Sequence, residues 1–319
     1  TLSTMSLSSA GNLQNLAASS CTTTAKLATD TRDNQQYIIQ KLADGNCWMM
    51  TNLNLGAATL SSDLTSSNTN LSTTVTASTF NSWKKTSGTQ TYTAAEYIPV
   101  SGTDSTSGTA YGTLYNYCAA SAGTICTDSN SSNATYDICP KGWRLPTGGD
   151  SGEFQALYNN YNTSAKMRAP ISSGGAAFAL AGRFYDGTPR SQGSYGYYWS
   201  STRFGNTDMY FLYLGTSYVY PADSISRNFG NSIRCVLNIP TMQDFTASDA
   251  ATMATGETKT LKDSRDGQEY TVAKLADGNL WMVDNLNLGA TTLSTDLTSS
   301  NTNLSTTVTA STFNSYKKT

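Results

Sequence analysis

The chain has 319 residues, a net charge of −2 and 13% charged residues, about half the usual share of roughly 25%. It contains no His, which removes the commonest general base and the commonest metal ligand, and it offers no basic surface for nucleic acid. No apolar run approaches the roughly 20 residues that cross a bilayer, so no membrane span is expected in this segment.

Residues 1–30 are rich in Ser, Thr and Ala with few large apolar groups, which predicts a spacer with some helix. Gln36 to Leu42, then Ala43-Asp44-Gly45-Asn46, then Cys47-Trp48-Met49-Met50 reads as strand, Asp-Gly turn, strand. Residues 57–110 are polar and low in complexity, with Thr93 to Tyr97 the one ordered-looking piece. Tyr111, Leu114, Tyr115 and Cys118 fall at helical spacing and predict a first helix. A second is marked by Asp150 and Glu153 at capping-box spacing, followed by the stripe Phe154, Leu157, Tyr158 and Tyr161. Beyond Pro170 short strands separated by Gly turns are expected at Phe178–Phe184, Tyr195–Ser201, Met209–Leu214, Tyr218–Tyr220 and Ser232–Leu237. A hairpin, two helices and a run of antiparallel strands make an α+β fold with long irregular loops. Trp48, Trp143 and Trp199 are expected in its core.

The run Lys41-Leu42-Ala43-Asp44-Gly45-Asn46-Cys47-Trp48-Met49 then returns as Lys274-Leu275-Ala276-Asp277-Gly278-Asn279-Leu280-Trp281-Met282. The offset, 281 − 48 = 233, holds from Arg32/Arg265 to Thr86/Thr319, and only six positions differ between 41–86 and 274–319. A period this long is a whole domain, unlike the short periods of solenoids. The expected organisation is one complete repeat over 1–240 (spacer 1–30, domain 31–238) and the N-terminal part of a second, truncated repeat over 241–319.

Six cysteines, Cys21, Cys47, Cys118, Cys126, Cys139 and Cys235, allow fifteen connectivities. In the second copy Cys47 becomes Leu280, and no Cys matches Cys21. Joint loss is what a bonded pair would show, so Cys21–Cys47 is expected. The other four leave three pairings open: Cys118 and Cys126 bracket a short loop, and a Cys139–Cys235 bridge would close a long one. Without His or a Cys-x-x-Cys pair, no metal site is expected. Paired cysteines, low charge and abundant Ser, Thr, Asn and Tyr read as an exported protein, extracellular or on the cell surface.

No catalytic constellation is present: Ser residues lack His partners, and Asp44, Asp186 and Asp223 sit beside turn-like residues as turn formers do. No enzyme activity and no cofactor are expected. The segment most open to a binding role is aromatic, and its candidate ligand or subunit contacts are Tyr195, Tyr197, Asn206, Asp208, Tyr210, Tyr213, Tyr218 and Tyr220. Tyr amid Gly, Ser and Asn suits adaptable recognition, while period-2 alternation would place half of the aromatics in the core.

Specific residues carry a resemblance. They are Arg32-Asp33, Tyr37, Trp48-Met49, Asn52-Leu53, Tyr111-Gly112-x-Leu114-Tyr115, Cys139-Pro140-x-Gly142-Trp143-Arg144-Leu145-Pro146-Thr147, Glu153, Leu157, Gly193-Ser194-Tyr195-x-Tyr197-x-Trp199-Ser200-Ser201 and Ser232-x-Arg234-Cys235-Val236. In order over about residues 30–240 the chain resembles the Fibrobacter succinogenes major paralogous domain, a repeated module of bacterial exported proteins. Met242 to Thr319 looks like the front of another such module. The resemblance implies a C-type lectin-like fold, in which both chain ends meet in one sheet and a helix cysteine bonds a late strand; that implies Cys139–Cys235, supports Cys21–Cys47 and leaves Cys118–Cys126. Lectin calcium motifs (Glu-Pro-Asn, Trp-Asn-Asp) are absent, so calcium-dependent sugar binding is not implied.

Two functions follow as expectations. One is a structural repeat of an extracellular bacterial filament or stalk, whose partners are neighbouring repeats or subunits of the same protein. The alternative is a cell-surface adhesin binding a glycan or host surface protein through the Tyr195–Tyr220 region.

Overall fold

A computed structural model describes residues 6–127 and 132–318. The chain divides into two compact units: Thr1–Leu16 with Ser20–Asn238, and Ala17–Ser19 with Ile239–Thr319. Both are α+β.

In unit 1 the N-terminal stretch expected as a spacer supplies two strands, β1 (Ser9–Asn12) and β2 (Lys26–Thr29). Leu13, Ala25 and Ala28 there are buried. The predicted hairpin follows as β3 (Gln36–Lys41) and β4 (Cys47–Met49), turning at Asp44-Gly45 with Gly45 at φ 82°. Residues 57–110 are more ordered than their composition suggests. They hold β5 (Thr69–Asn70), α1 (Ala77–Ser82, capped by Thr76) and β6 (Tyr97–Thr103). Leu60, Leu64, Leu71 and Phe80 are buried anchors, and Asn81 clasps both the N–H and the carbonyl of Leu60. A few well-placed apolar groups and side-chain-to-backbone bonds order a polar segment.

The helix expected across Tyr111–Cys118 is corrected. Ala110–Tyr115 is a strand, β7, antiparallel to β6, and only Tyr117–Ala120 (α2) is helical, capped by Asn116. Residues 112–120 are all buried, so apolar spacing there does not report one helical face. Gly112, at φ 79° and packed against Asn52, also suits a strand in close approach.

Then come β8 (Asp137–Pro140), β9 (Trp143–Arg144), α3 (Glu153–Tyr161) and α4 (Ser164–Arg168). The Asp150–Glu153 capping box is not formed, because the N-cap is Gly152. Glu153 exchanges bonds with Thr147 instead: Thr147 N–H donates to its carboxylate, and Glu153 N–H donates to Thr147 Oγ1, both at 2.9 Å. The expected strand Phe178–Phe184 shrinks to β10 (Arg183–Tyr185), paired with β11 (Thr188–Arg190). In residues 176–180 the Ala176, Ala177 and Phe178 N–H groups donate to the carbonyls of Lys166, Ala169 and Met167, while Arg234 donates to the Ala176 and Ala177 carbonyls, Tyr198 Oη to Ala179, and Leu180 N–H to Asp104. The meander β12 (Tyr195–Phe204), β13 (Asp208–Gly215) and β14 (Val219–Ser226) precedes the short last strand β15 (Val236–Leu237).

The main sheet runs β1-β2-β3-β4-β15-β9, with β15 antiparallel to both β4 and β9. One core joins this sheet (Ile38, Trp48, Val236), α3 (Phe154, Leu157), Phe178 and the back of the meander (Tyr198, Leu212, Leu214). Trp48 lies 5.8 Å from Phe154 and 6.4 Å from Phe178 between ring centroids. Trp143 and Trp199 are also fully buried. The bridges are Cys21–Cys47, Cys118–Cys126 and Cys139–Cys235. Cys139 sits on strand β8, and the expectation of a helix cysteine at this bridge is corrected.

Unit 2 repeats the front of unit 1 in three dimensions. After α5 (Ala247–Ala251) come β16 (Thr258–Lys262), β17 (Glu269–Lys274), β18 (Leu280–Met282) and α6 (Ala310–Ser315). The Asp30–Arg32 ion pair recurs as Asp263–Arg265.

Candidate functional site

The aromatic segment becomes one face of the meander. Along β12 alternate side chains point to opposite sides: Tyr198 enters the core, while Tyr195, Tyr197 and Trp199 share the other face. Trp199 is covered, its Nε1 donating to the Tyr115 carbonyl at 2.7 Å with Tyr117 edge-on to its ring. Tyr197 lies nearly parallel to Tyr213 (4.9 Å, 11°), and Tyr213 to Tyr220 (5.9 Å, 20°). Tyr195 flanks Tyr197, Tyr213 and Tyr218, and the Tyr213 and Tyr218 hydroxyls are 2.9 Å apart.

Of the candidate residues, the fold therefore gathers Tyr195, Tyr197, Tyr213, Tyr218 and Tyr220. It separates the other three. Tyr210 faces the opposite side, against Gly148 and edge-on to Phe204. Asn206 and Asp208 are at the β12–β13 turn, the far end of the hairpin from the Tyr195–Gly215 pair; the Asn206 carbonyl accepts from Arg227 and the Asp208 carboxylate from Thr207.

Sequence reasoning missed Arg183, Tyr185 and Phe229. The Arg183 guanidinium sits between Tyr197 (4.8 Å) and Phe229 (4.7 Å), and Phe229 stacks on Tyr185 at 4.6 Å. The signal was present: Arg183-Phe184-Tyr185 alternates around a buried Phe184 and leads into Asp186-Gly187, where both φ values are positive, as a two-residue hairpin turn requires. The result is a column of Tyr220, Tyr213, Tyr197, Arg183, Phe229 and Tyr185. Its inner ring faces are spent on one another, and its two end residues are the exposed ones.

Burial pushes the Tyr197 and Tyr213 phenols up, and the Tyr213 hydrogen bond together with burial pushes Tyr218 up, so all three stay protonated near neutral pH. Among the described residues no cluster of three Asp, Glu, Cys or His could hold a metal ion.

A second surface is on unit 2. Trp281, Val283 and Leu286 are 52, 53 and 57% exposed, while their counterparts Trp48, Met50 and Leu53 are fully buried. In unit 1 the edge of β4 and the chain after it are covered: Met49 N–H donates to the Cys235 carbonyl and Leu53 N–H to Ile233. Among the described residues nothing pairs with the corresponding edge of β18.

Among the described residues, no helix is long and apolar enough to cross a membrane. The three disulfides are those of a chain folded in an oxidising, extracytoplasmic environment. No curated protein and no solved structure matches the chain. A family model, the Fibrobacter succinogenes major domain, matches residues 43–237, a span from the turn before β4 to the end of β15 that covers more than half of the sequence. The chain belongs to the Fibrobacter succinogenes major domain family.

Proposed function

We propose that the chain is a structural repeat segment of an extracellular bacterial surface filament or stalk, built from tandem domains of C-type lectin-like fold. The observation that carries this reading is the 233-residue repeat, whose second copy rebuilds the same three strands, the same helix and the same Asp-Arg pair. Near-identical units make near-identical contacts, which a regular thread needs and a single binding site does not. The lectin-like assignment draws support from the main sheet, where β1–β4 and β15 bring both ends of unit 1 together. Electron imaging of the native material tests the proposal. A thread with a regular axial repeat is expected, and isolated globules without one would sink it.

An adhesin reading is favoured by one feature, half-exposed Tyr220, which with Pro221, Ala222 and Asp223 lines an open groove at the end of the aromatic column. Binding to a glycan array that is lost in Tyr220→Ala would support it, and an array with no retained glycan would remove it.

A further inference from the structure

Two places in unit 2 are vacant where unit 1 is filled. The first is the β18 edge with Trp281, Val283 and Leu286. The second is a pocket bounded by Leu288, Gly289, Thr292, Phe313, Asn314 and Tyr316. Subtracting the 233-residue offset gives Leu55, Gly56, Thr59, Phe80, Asn81 and Trp83 in unit 1. There the space is occupied by Tyr97. Its ring stacks on Phe80 at 4.9 Å, and it comes within 2.5 Å of where a Gly56 Cβ would be, so only glycine leaves room for it. Backbone bonds fix it from both sides: Tyr97 N–H donates to the Trp83 carbonyl at 3.0 Å, and Lys85 N–H donates to the Tyr97 carbonyl at 2.8 Å. In unit 2 the same glycine is kept at φ 90°, and the nearest atom to its missing Cβ is on Phe313, at 3.0 Å.

We propose that this pocket is a receptor for a tyrosine side chain carried on an extended strand, and that the open β18 edge receives an apolar strand from the same polypeptide segment. The occupant is a segment with the sequence pattern of residues 87–238. It presents its counterpart of Tyr97 to the pocket and its counterpart of Val236 to Trp281, as Val236 pairs with Trp48. Of the six positions that differ between the copies, the two at this pocket, Trp83/Tyr316 and Ala58/Thr291, keep an aromatic and a small residue, so its shape is retained. Just beyond β18, Val283 replaces Met50 and stays apolar, while Asp284 replaces Thr51 and accepts from Thr271 N–H. The two cysteines lost, Cys21 and Cys47, bond to each other in unit 1 and not to the covering segment. The inference rests on the tandem reading and deepens it by naming the receiving surfaces.

The test joins a second copy of residues 87–238 after Thr319. Trp281 quenching by acrylamide is isolated by difference from Trp281→Phe, because Trp48, Trp143 and Trp199 are buried and the partly buried Trp83 contributes equally to both proteins. We expect at least a fivefold fall in Trp281 quenching, and its return when the extension carries Tyr97→Ala. An extension that forms its own Cys139–Cys235 bridge while Trp281 stays open overturns the proposal. If the extension does not oxidise, a peptide of residues 93–103 decides. A saturable shift of the Phe313 ring resonances, weakened at least tenfold in a Tyr97→Ala peptide, supports it, and no saturable shift overturns it. Failure of the imaging experiment would leave these outcomes untouched, so the two readings fail separately.

Discussion

The Trp48 indole Nε1 donates to Asp44 Oδ2 across the β3–β4 turn at 2.9 Å, and Trp281 donates to Asp277 with the same atoms at the same distance. The bond is local, four residues apart, and forms whether or not the ring beside it is covered. The carboxylates nevertheless differ. Burial raises Asp44 above its ordinary range against the Trp48 and Asn46 bonds, while the Asn279 and Trp281 bonds lower Asp277 in the open copy. One motif thus reports two environments.

Truncating the two indoles should separate them. Trp48→Ala removes a fully buried ring packed on Phe154 and Phe178 and is expected to cost about 3 to 5 kcal/mol in denaturant unfolding. Trp281→Ala, at a half-exposed site, is expected to cost less than about 1 kcal/mol in this chain. Equal losses would contradict the burial difference.

Asp137 sets a pH dependence. It accepts from Leu145 N–H, Cys139 N–H and Asn70, yet burial still raises its pKa from 3.8 to about 6. The folded state therefore holds this proton more tightly than the unfolded chain. Its contribution is fully present below the ordinary carboxylate pKa and is lost as pH rises through about 6, by roughly 3 kcal/mol at neutrality. Asp30 runs the other way: burial raises its pKa, the Arg32 charge and bonds outweigh burial, and its contribution is lost as pH falls. Urea midpoints from pH 4 to 7 should fall less in Asp137→Asn than in the parent; parallel curves would dismiss the assignment.

Arg234 is fully buried and spends its guanidinium on Asn52, the carbonyls of Ala176 and Ala177, and the face of Phe178 at 4.2 Å. Burial depresses its pKa to about 10, still far above neutrality. Lys has no planar fork to reach three acceptors. Arg234→Lys is expected to destabilise unit 1 by about 2 to 4 kcal/mol, since acceptors lose their donors in a closed site. A loss below about 0.5 kcal/mol in thermal or urea unfolding would show that the fork is dispensable.

The bridges should rank by the loops they close. In the chain-entropy model the separations of 96, 26 and 8 residues correspond to about 4.7, 3.5 and 2.5 kcal/mol. Double Cys→Ser variants, compared by urea unfolding, are expected to lose stability in the order Cys139–Cys235, Cys21–Cys47, Cys118–Cys126. A reversed order would show that native packing, not chain entropy, governs them.

What the sequence revealed was local or covalent. Asp44-Gly45 announced its hairpin because the turn demands positive φ, and the joint absence of two cysteines from the second copy pointed to Cys21–Cys47. What it concealed came from long-range partners. Tyr111 to Cys118 looked helical because a strand buried on both faces leaves no polar phase to read. Residues 57–110 looked formless because their order rests on separated apolar anchors such as Leu60, Leu64, Leu71, Phe80 and Tyr97 and on Asn81. Of the aromatic site, alternation along β12 and the Arg183-to-Gly187 hairpin were legible; the place of Arg183 in the column was not, because it joins only once β10 is brought beside the meander.

The Cys139–Cys235 bridge has a mechanical consequence. Asn238 lies three residues beyond Cys235, so a pull on the two ends of unit 1 reaches the covalent bond almost at once and passes through it to Cys139. Everything between, including α3, the whole meander and the aromatic column, hangs outside the line of tension as a closed loop. Cys21–Cys47 shunts load past β2 and β3 in the same way. Stretched under oxidising conditions, the unit can lengthen only through its remaining, unbridged segments; adding a reductant to a single molecule held at constant force should release the sheltered loop as a sudden extra extension.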